Sequence, residues 1–295
     1  MKKFFVAAIA AVTLAGPAVA ADAPLPNVSP AMWVVKDADT TIYMFGTFHM
    51  LDGKRDWFND EVKTAFDASS ELVMEIQLPE NPAELQPLIM KYAVDPAGKT
   101  LTSKLTPQAK AKLDKELGGI GVPAGAMDKL EPWFVSMTLA SVGAMKLGLK
   151  PEHGPETVLT KAAKEKGKSI AAVETVEGQI KMLDGMPEAT QIAGLSHTVD
   201  QMAKLGDVFT PMLNAWSSGD TNALVKLMND GMAKDPLLYK AMLTDRNAKW
   251  AEWIGTRMEK PGVVFMAVGA GHLAGKDSVQ DYLAKKGLKA ERVKS

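Results

Sequence analysis

The sequence contains no cysteine in its 295 residues. This absence excludes disulfide bonds, zinc sites built from thiolates, a cysteine nucleophile and lipid attachment through an N-terminal cysteine. Long apolar runs are also scarce, because no segment after the first 20 residues approaches about 18 uninterrupted apolar residues, the length of a membrane-spanning helix. We therefore expect the mature chain to be soluble.

The sequence has no excess of charge of one sign. Its 34 Lys and Arg residues against 35 Asp and Glu residues give a formal charge of −1, which predicts neither a nucleic-acid partner nor an anionic-membrane partner. Tandem repeats and low-complexity tracts are also missing. With 46% hydrophobic residues the chain can bury a substantial core, and we expect residues 21–295 to form a single domain.

The first 20 residues have the features of a secretory signal peptide. They combine a basic start, an apolar run from Phe4 to Gly16 and a small-x-small ending at residues 18–20. The apolar run is too short to span a bilayer core of about 30 Å. We predict cleavage after Ala20, a periplasmic or secreted location, and no stable membrane insertion after cleavage.

The remaining sequence alternates strand-type and helix-type patterns. Apolar runs predict strands at Trp33–Val35, at Thr41–Phe45 and over ELVMEIQL, SIAAVE and GVVFMAVGAGH, with LKAERV as an edge strand. The residues from Trp57 to Phe66 have helical spacing. The second and third strands therefore form a βαβ unit with this helix, and we expect them to be parallel.

Two largely helical stretches, at about residues 80–150 and 185–258, separate these strands and have Pro and Gly at helix boundaries. The pattern predicts an α/β fold of mixed α+β character. We expect a mixed sheet with parallel core strands and large helical insertions in a single domain.

Two of the four histidines occur in the same motif, Gly-x-x-His, more than two hundred residues apart. His49 follows Gly46 in GTFHM, and His272 follows Gly269 in GAGHLAG. Each motif comes at the carboxyl end of a predicted strand, where glycine allows a sharp turn at a crowded rim. The carboxyl ends of parallel strands form the ligand crevice of α/β sheets, so we expect both imidazoles in one site.

Two glutamates also follow predicted strands. Glu75 lies in the apolar run ELVMEIQL, where a buried carboxylate without a partner would be costly, and Glu174 ends SIAAVE. Two imidazoles and one carboxylate are the ligand set of an open metal site that activates water. Manganese, iron, cobalt and zinc all suit nitrogen and oxygen ligands, so the pattern leaves the ion open.

Arg246 lies in an apolar stripe of a predicted long helix. The residues that recur every four positions are Leu238, Met242, Arg246, Trp250 and Ile254. A guanidinium in such a stripe needs an anion, which is Glu75, Glu174, a substrate carbonyl or a developing oxyanion. A structural ion pair, or a stem that reaches solvent, is the alternative.

The remaining candidate residues have simpler interpretations. His153 and His197 have no strand-end context, and we expect them to face solvent. Asp52, Asp56 and Glu156 could join the rim, but each is better explained as a loop or first-turn acid that stabilises a helix start.

These motifs resemble the TraB/GumN family, which includes the Tiki proteases and is more distantly similar to the erythromycin esterase and haem-binding ChaN-like fold. The similar segments are LVMEIQ, VETVEGQ, DRN and VGAGHLAGKDSVQDYLAKKG, within a match from Trp33 to Val293. The resemblance implies a metal-dependent, peptidase-type site with manganese or cobalt. It places the family's motif residues on His49, Glu75 and His272, with an Arg-Asn pair at Arg246 and Asn247.

The sequence therefore predicts a periplasmic or secreted metal-dependent hydrolase of peptide or small-molecule substrates. His49 and His272 would hold the ion, Glu75 would be the third ligand or general base, and Arg246 would stabilise the oxyanion. The residues expected to support them are Gly46, Gly269, Glu174 and Asn247. Two alternatives stay open: a non-catalytic protein that sequesters a peptide signal, haem or metal, and a metal-free, esterase-like hydrolase with a histidine as general base.

Overall fold

The protein is built around a six-stranded mixed sheet, which a computed structural model describes within residues 25–294. The predicted signal peptide, residues 1–20, lies outside the described residues. The strands are β1 (Met32–Lys36), β2 (Thr40–Thr47), β3 (Glu71–Met74), β4 (Ser169–Ala172), β5 (Gly262–Gly269) and β6 (Glu291–Arg292). Their order in the sheet is β4-β3-β5-β2-β1-β6.

The centre of the sheet is parallel and one edge is antiparallel. β5 runs parallel to both β2 and β3, and β4 runs parallel to β3. β1 and β2 form an antiparallel hairpin, whose turn is held by the Asp37 carboxylate accepting from the backbone N–H of Thr40 at 2.8 Å. β6 closes the edge beside β1, as LKAERV predicts. The carboxyl ends of four parallel strands therefore share one rim.

Fourteen α-helices surround the sheet within the described part of the chain. They are α1 (Asp60–Ala68), α2 (Gln86–Ala93), α3 (Leu101–Lys104), α4 (Pro107–Gly119), α5 (Pro132–Lys146), α6 (Pro155–Glu165), α7 (Val176–Asp184), α8 (Glu188–Gln201), α9 (Leu205–Ser217), α10 (Thr221–Leu224), α11 (Asp230–Met232), α12 (Pro236–Tyr239), α13 (Asp245–Arg257) and α14 (Val279–Lys285). Two π-helical turns, Val225–Asn229 and Lys240–Thr244, and a 3-10 turn, Ala270–Leu273, complete the elements near the rim. None of the helices in residues 25–294 is long and apolar enough to cross a membrane.

The sheet buries both faces, because successive side chains of β5 point to opposite sides. Phe265 packs with Phe66 of α1 and Trp216 of α9 on one face. Its neighbour Met266 packs with Trp250 of α13 on the other face. The central strand therefore reads as a continuous apolar run, as expected for a strand covered on both sides.

The first helical stretch forms its own apolar cluster, with Leu113 of α4, Leu139 of α5 and Leu195 of α8 at its centre. Beside it, Lys104 of α3 is almost completely buried and its ammonium lies 2.5 Å from Asp95 and 3.0 Å from Glu131. The ammonium of Lys104 therefore joins α3 to the loop after α2 and to the residue that precedes α5.

β2 and β3 are parallel as expected, and β5 lies between them. Two other local predictions differ from the structure. α1 begins at Asp60, because Trp57 is taken up by stacking on Phe45, with the ring centroids 5.5 Å apart. The predicted long helix around Arg246 is interrupted by the π-helical turn Lys240–Thr244.

Candidate functional site

The rim of the sheet places the strand-end residues that the sequence singled out. Glu75 follows β3 directly, and Glu174 follows β4 two residues after its last position. His272 lies on the 3-10 turn that continues β5, and His49 follows β2. The structure brings Glu75, Glu174 and His272 together around Arg246 of α13, which we call the arginine cluster.

Arg246 is the centre of this cluster and is buried, at 8% exposure. Its Nη2 donates to Glu75 at 2.5 Å and to Glu174 at 3.0 Å, and its Nε donates to Glu174 at 2.8 Å. Its Nη1 lies 3.0 Å from Nε2 of His272. The anion that the apolar stripe required is therefore a pair of glutamates, and the stem does not reach solvent.

Further donors fix the two glutamates. Gln179 of α7 donates its amide to Glu75 at 3.1 Å and to Glu174 at 2.9 Å, so it bridges them. The backbone N–H of Gly269 donates to Glu75 at 2.7 Å, and the indole of Trp250 donates to Glu174 at 2.8 Å. Both carboxylates thus accept hydrogen bonds from several donors, which fixes their positions.

The tautomer of His272 follows from its neighbours. Nδ1 lies 2.6 Å from the side-chain oxygen of Asn247, whose amide group in turn donates to the carbonyl of Asp277 at 2.8 Å. Because that amide oxygen can only accept, Nδ1 carries the proton and Nε2 has the lone pair. The indole ring of Trp250 packs against the imidazole at 4.3 Å.

Burial and neighbouring charges shift the pKa values of His272 and Glu75 within the cluster. Burial, helped by the nearby Arg246 charge, lowers the pKa of His272 to about 4, so its imidazole is neutral at pH 7. Burial alone would raise the pKa of Glu75, but the positive charges of protonated His272 and of Arg246 outweigh it and lower that pKa to about 2. Glu75 is therefore a stable carboxylate beside a neutral histidine.

His49 has a different partner. Its Nδ1 lies 2.6 Å from Oε1 of Glu156, in the first turn of α6, and that same oxygen accepts from the hydroxyl of Thr47 at 2.5 Å. The Coulomb attraction of Glu156 raises the pKa of His49 to about 9. His49 is therefore a cation at pH 7, and 71% of its side chain is exposed at the open edge of the rim.

The glycines of both motifs lie where a side chain would be crowded. A Cβ on Gly46 would lie 3.1 Å from the backbone of Ala270, and one on Gly269 would lie 3.1 Å from Oε1 of Glu75. The indole of Trp216 also donates to the carbonyl of Gly46 at 2.8 Å. These glycines allow β2, β5 and Glu75 to approach closely.

The predicted metal ligands fit a divalent ion by donor type, but their side chains are not arranged around a common point. Nε2 of His272 and Oε1 of Glu75 are 4.0 Å apart, whereas Arg246 donates to that Nε2. Within residues 25–294 no three His, Asp or Glu side chains are grouped as an ion would require. An ion at Nε2 of His272 therefore requires the guanidinium to move off this nitrogen.

Several residues of the rim were not found from the sequence. Gln179 and Thr47 lie inside the quoted segments VETVEGQ and GTFHM but were not singled out, and Trp250 was noted only as part of an apolar stripe. Glu156 does begin α6, as expected, but it also binds His49. Its position next to Pro155 at a helix start gave a sufficient local explanation, so only the contact itself reveals the second role.

The other two histidines lie away from the arginine cluster. His153 and His197 are both exposed, as expected. His153 lies on the turn before α6, and His197 lies on α8 in the helical stretch. Neither has the strand-end position of the other pair.

Comparison with known proteins gives a family for the chain. The sequence profile of the TraB/PrgY/gumN family matches residues 31–292, which include all six strands and every residue of the arginine cluster. The uncharacterized protein YbaP of Escherichia coli is 27% identical over 193 residues, covering 65% of this chain and 71% of YbaP.

Two animal proteins are similar over a longer stretch. The metalloprotease TIKI1 of Danio rerio is 22% identical over 323 aligned positions, covering 91% of this chain and 64% of TIKI1. The metalloprotease TIKI homolog of Nematostella vectensis is 23% identical over 327 positions, covering 92% of this chain and 68% of that protein. No solved structure matches.

Proposed function

The chain belongs to the TraB/PrgY/gumN family, and from this premise and the site geometry we propose that it is a metal-dependent hydrolase of peptide bonds. The observation that supports the proposal most strongly is the convergence of Glu75, Arg246 and His272 at the rim, with His49 just after the neighbouring strand β2. The relatives named as metalloproteases support the same class of reaction.

The residues of the rim would have different roles in hydrolysis, according to their charge. Arg246 holds a fixed positive charge in a buried setting, where it can stabilise a developing oxyanion. Glu75 and Glu174 hold its guanidinium in place through three hydrogen bonds. The exposed His49 has Nδ1 bound to Glu156, so Nε2 is the nitrogen that can face a substrate group, or bind an ion once binding has displaced its proton.

His49, His272 and Glu75 would hold the ion. Two imidazoles and one carboxylate leave coordination positions open, and a divalent ion bound there would lower the pKa of bound water to near neutrality. Manganese or cobalt is our first expectation, and zinc or iron has the same ligand preference. Asn247 would keep Nε2 of His272 free for coordination, because it fixes the proton on Nδ1.

The test is elemental analysis of protein purified without chelator, followed by hydrolysis of a fluorogenic peptide library. We expect one divalent ion per chain, lost together with hydrolysis in His49→Ala and in His272→Ala. His197→Ala is the matched control, because this histidine is exposed on α8. Unchanged metal content and unchanged hydrolysis in both site variants would contradict the proposal.

A metal-free hydrolase is the second candidate, and the contact of Arg246 with Nε2 of His272 at 3.0 Å favours it. In that case the guanidinium is the cation of the site, and a histidine is the general base. Hydrolysis that survives extensive dialysis against a chelator and is lost in His49→Ala would support this candidate over the metal-dependent one.

We also propose that the protein acts in the periplasm or after secretion. The support is the basic, apolar and small-residue pattern of residues 1–20.

A further inference from the structure

We propose that Glu156 is a positioning residue for His49, a role that rests on the proposed function of the rim. Its Oε1 accepts from two groups on one side of the site: Nδ1–H of His49 at 2.6 Å and the hydroxyl of Thr47 at 2.5 Å. A ring with one nitrogen bound to a fixed acceptor presents the other nitrogen in a defined direction.

Oε1 of Glu156 is held in place by two elements of regular structure, β2 and α6. Thr47 is the last residue of β2, is 2% exposed and pairs with Gly269 of β5. Glu156 lies in the first turn of α6, an 11-residue helix with Pro155 at its start. The Thr47 hydroxyl therefore ties a helix start to a strand end, and the imidazole of His49 binds at that junction.

The backbone around this junction is closely fitted. Gly154, which precedes α6, packs against the carbonyl oxygen of His49 so tightly that a Cβ would overlap it. Leu51 and Lys150 exchange backbone hydrogen bonds at 3.2 Å and 2.8 Å, which joins the loop after β2 to the turn before α6. The relative position of His49 and Glu156 is thus set by main-chain contacts on both sides.

The second oxygen of Glu156 gives an independent reason to assign a role to this carboxylate. Oε2 is buried and has no hydrogen-bond partner within residues 25–294. An orphaned carboxylate oxygen is unfavourable, so its retention requires an explanation beyond helix capping. We explain the carboxylate by the role of Oε1, which accepts from His49 and Thr47. Oε2 is then available to accept from a water or from a substrate N–H.

The experiment uses protein labelled with 15N at histidine, since only four imidazoles need to be assigned. In the wild-type protein at pH 7 we expect a downfield, exchange-protected Nδ1 proton on His49. Glu156→Ala should abolish this signal, whereas Glu156→Gln should retain it, because the amide oxygen still accepts. Glu152→Ala, which removes an exposed acid on the preceding turn, is the matched control and should change nothing.

Two outcomes would overturn the proposal: the signal survives in Glu156→Ala, or it is lost in Glu156→Gln as completely as in Glu156→Ala. The His272 resonances and the melting temperature report whether each variant is folded. If Glu156→Ala does not fold, Glu156→Met answers the same question, because it keeps the length of the side chain but offers no oxygen acceptor.

The kinetic consequence is tested separately on whichever peptide the library identifies. We expect Glu156→Ala to lower kcat by roughly 10- to 100-fold, the usual effect of removing a group that orients a ligand or base, with KM nearly unchanged. Glu156→Gln should recover most of the loss. If the wild-type protein cleaves no peptide, the proposed function fails while the resonance result still decides the role of Glu156.

Discussion

Arg246 is the shared cation of Glu75 and Glu174, whose side chains are 14% and 18% exposed. Replacement by methionine would leave Glu75 and Glu174 without their cation, and unpairing a buried ion pair costs about 3–5 kcal/mol. Arg246→Lys should recover only part of the lost stability, because an ammonium cannot reproduce the forked contacts to both glutamates. Urea unfolding monitored by circular dichroism measures the free energy of unfolding of both variants and of the wild-type protein.

The control for this prediction is Lys289→Met, which breaks an exposed ion pair with Glu291. Solvent screens that pair, so its loss should leave the urea midpoint unchanged. Equal midpoints for Arg246→Met and the wild-type protein would show that the arginine cluster does not form as described.

His272 predicts acid sensitivity of the metal-free protein. Its folded-state pKa of about 4 lies below the unfolded value of 6.5, so the unfolded chain binds more protons between these values. The stabilisation is complete above about pH 6.5 and is lost as the pH falls to about 4, with a ceiling of about 3 kcal/mol for this shift.

The measurement is chemical denaturation across that pH range in chelator-treated protein. The slope of the unfolding free energy against pH should decrease in His272→Gln, which cannot titrate. Glu75, whose folded pKa is about 2, adds a loss of the same sign that begins only below about pH 4.5. A pH-independent free energy between 4 and 6.5 would contradict the assignment of a buried neutral imidazole.

At the scale of elements, the strand-end glycines fix how closely β2 and β5 approach the turn that carries His272. Gly46→Ala and Gly269→Ala should each destabilise the fold by about 1–3 kcal/mol, because the added methyl group has no room. Gly194→Ala is the matched control on α8, where the same methyl group enters open space. That control should stabilise the protein by about 0.5–1 kcal/mol through helix propensity.

Thermal unfolding of Gly46→Ala, Gly269→Ala and Gly194→Ala measures these changes in stability. A Gly46→Ala protein as stable as the wild type would mean that the turn after β5 moves freely away from β2.

Elements with strong local signals were predicted well. The sequence places β2, β3, β4 and β5 correctly, since apolar runs bounded by turn residues have few alternative structures. Their spatial order was not predicted, because β5 enters between β2 and β3 from a position almost two hundred residues later along the chain. No local pattern encodes such a crossover.

The strand-end residues of the site were predicted from the sequence, whereas contacts from distant helices were not. His272, Glu75 and Glu174 were expected at one rim from the strand-end rule, and they lie there. The contact of Glu156 with His49 was not expected, because it depends on the register of a helix start against a strand end more than one hundred residues away. The π-helical turn before α13 was also missed, since four-residue spacing continues through it.

At the scale of the whole molecule, the sequence predicts that the chain begins its mature form at Ala21. We expect intact-mass measurement of protein recovered from the periplasm or culture medium to give the mass of residues 21–295. An Ala18→Arg, Ala20→Arg variant should accumulate in the uncleaved form, because the peptidase requires small residues at these positions. Recovery of the wild-type protein at full-length mass would contradict cleavage after Ala20.

The central strand of the sheet is also the last of the core strands to be made. β5 begins at Gly262, so β2 and β3 gain their common neighbour only after almost two hundred further residues have been synthesised. Until then the sheet is split, Glu75 lacks the Gly269 N–H, and the second Gly-x-x-His does not exist. The position of β5 in the sheet therefore delays assembly of the rim until β5 has been synthesised. A chain truncated before β5 cannot form the rim.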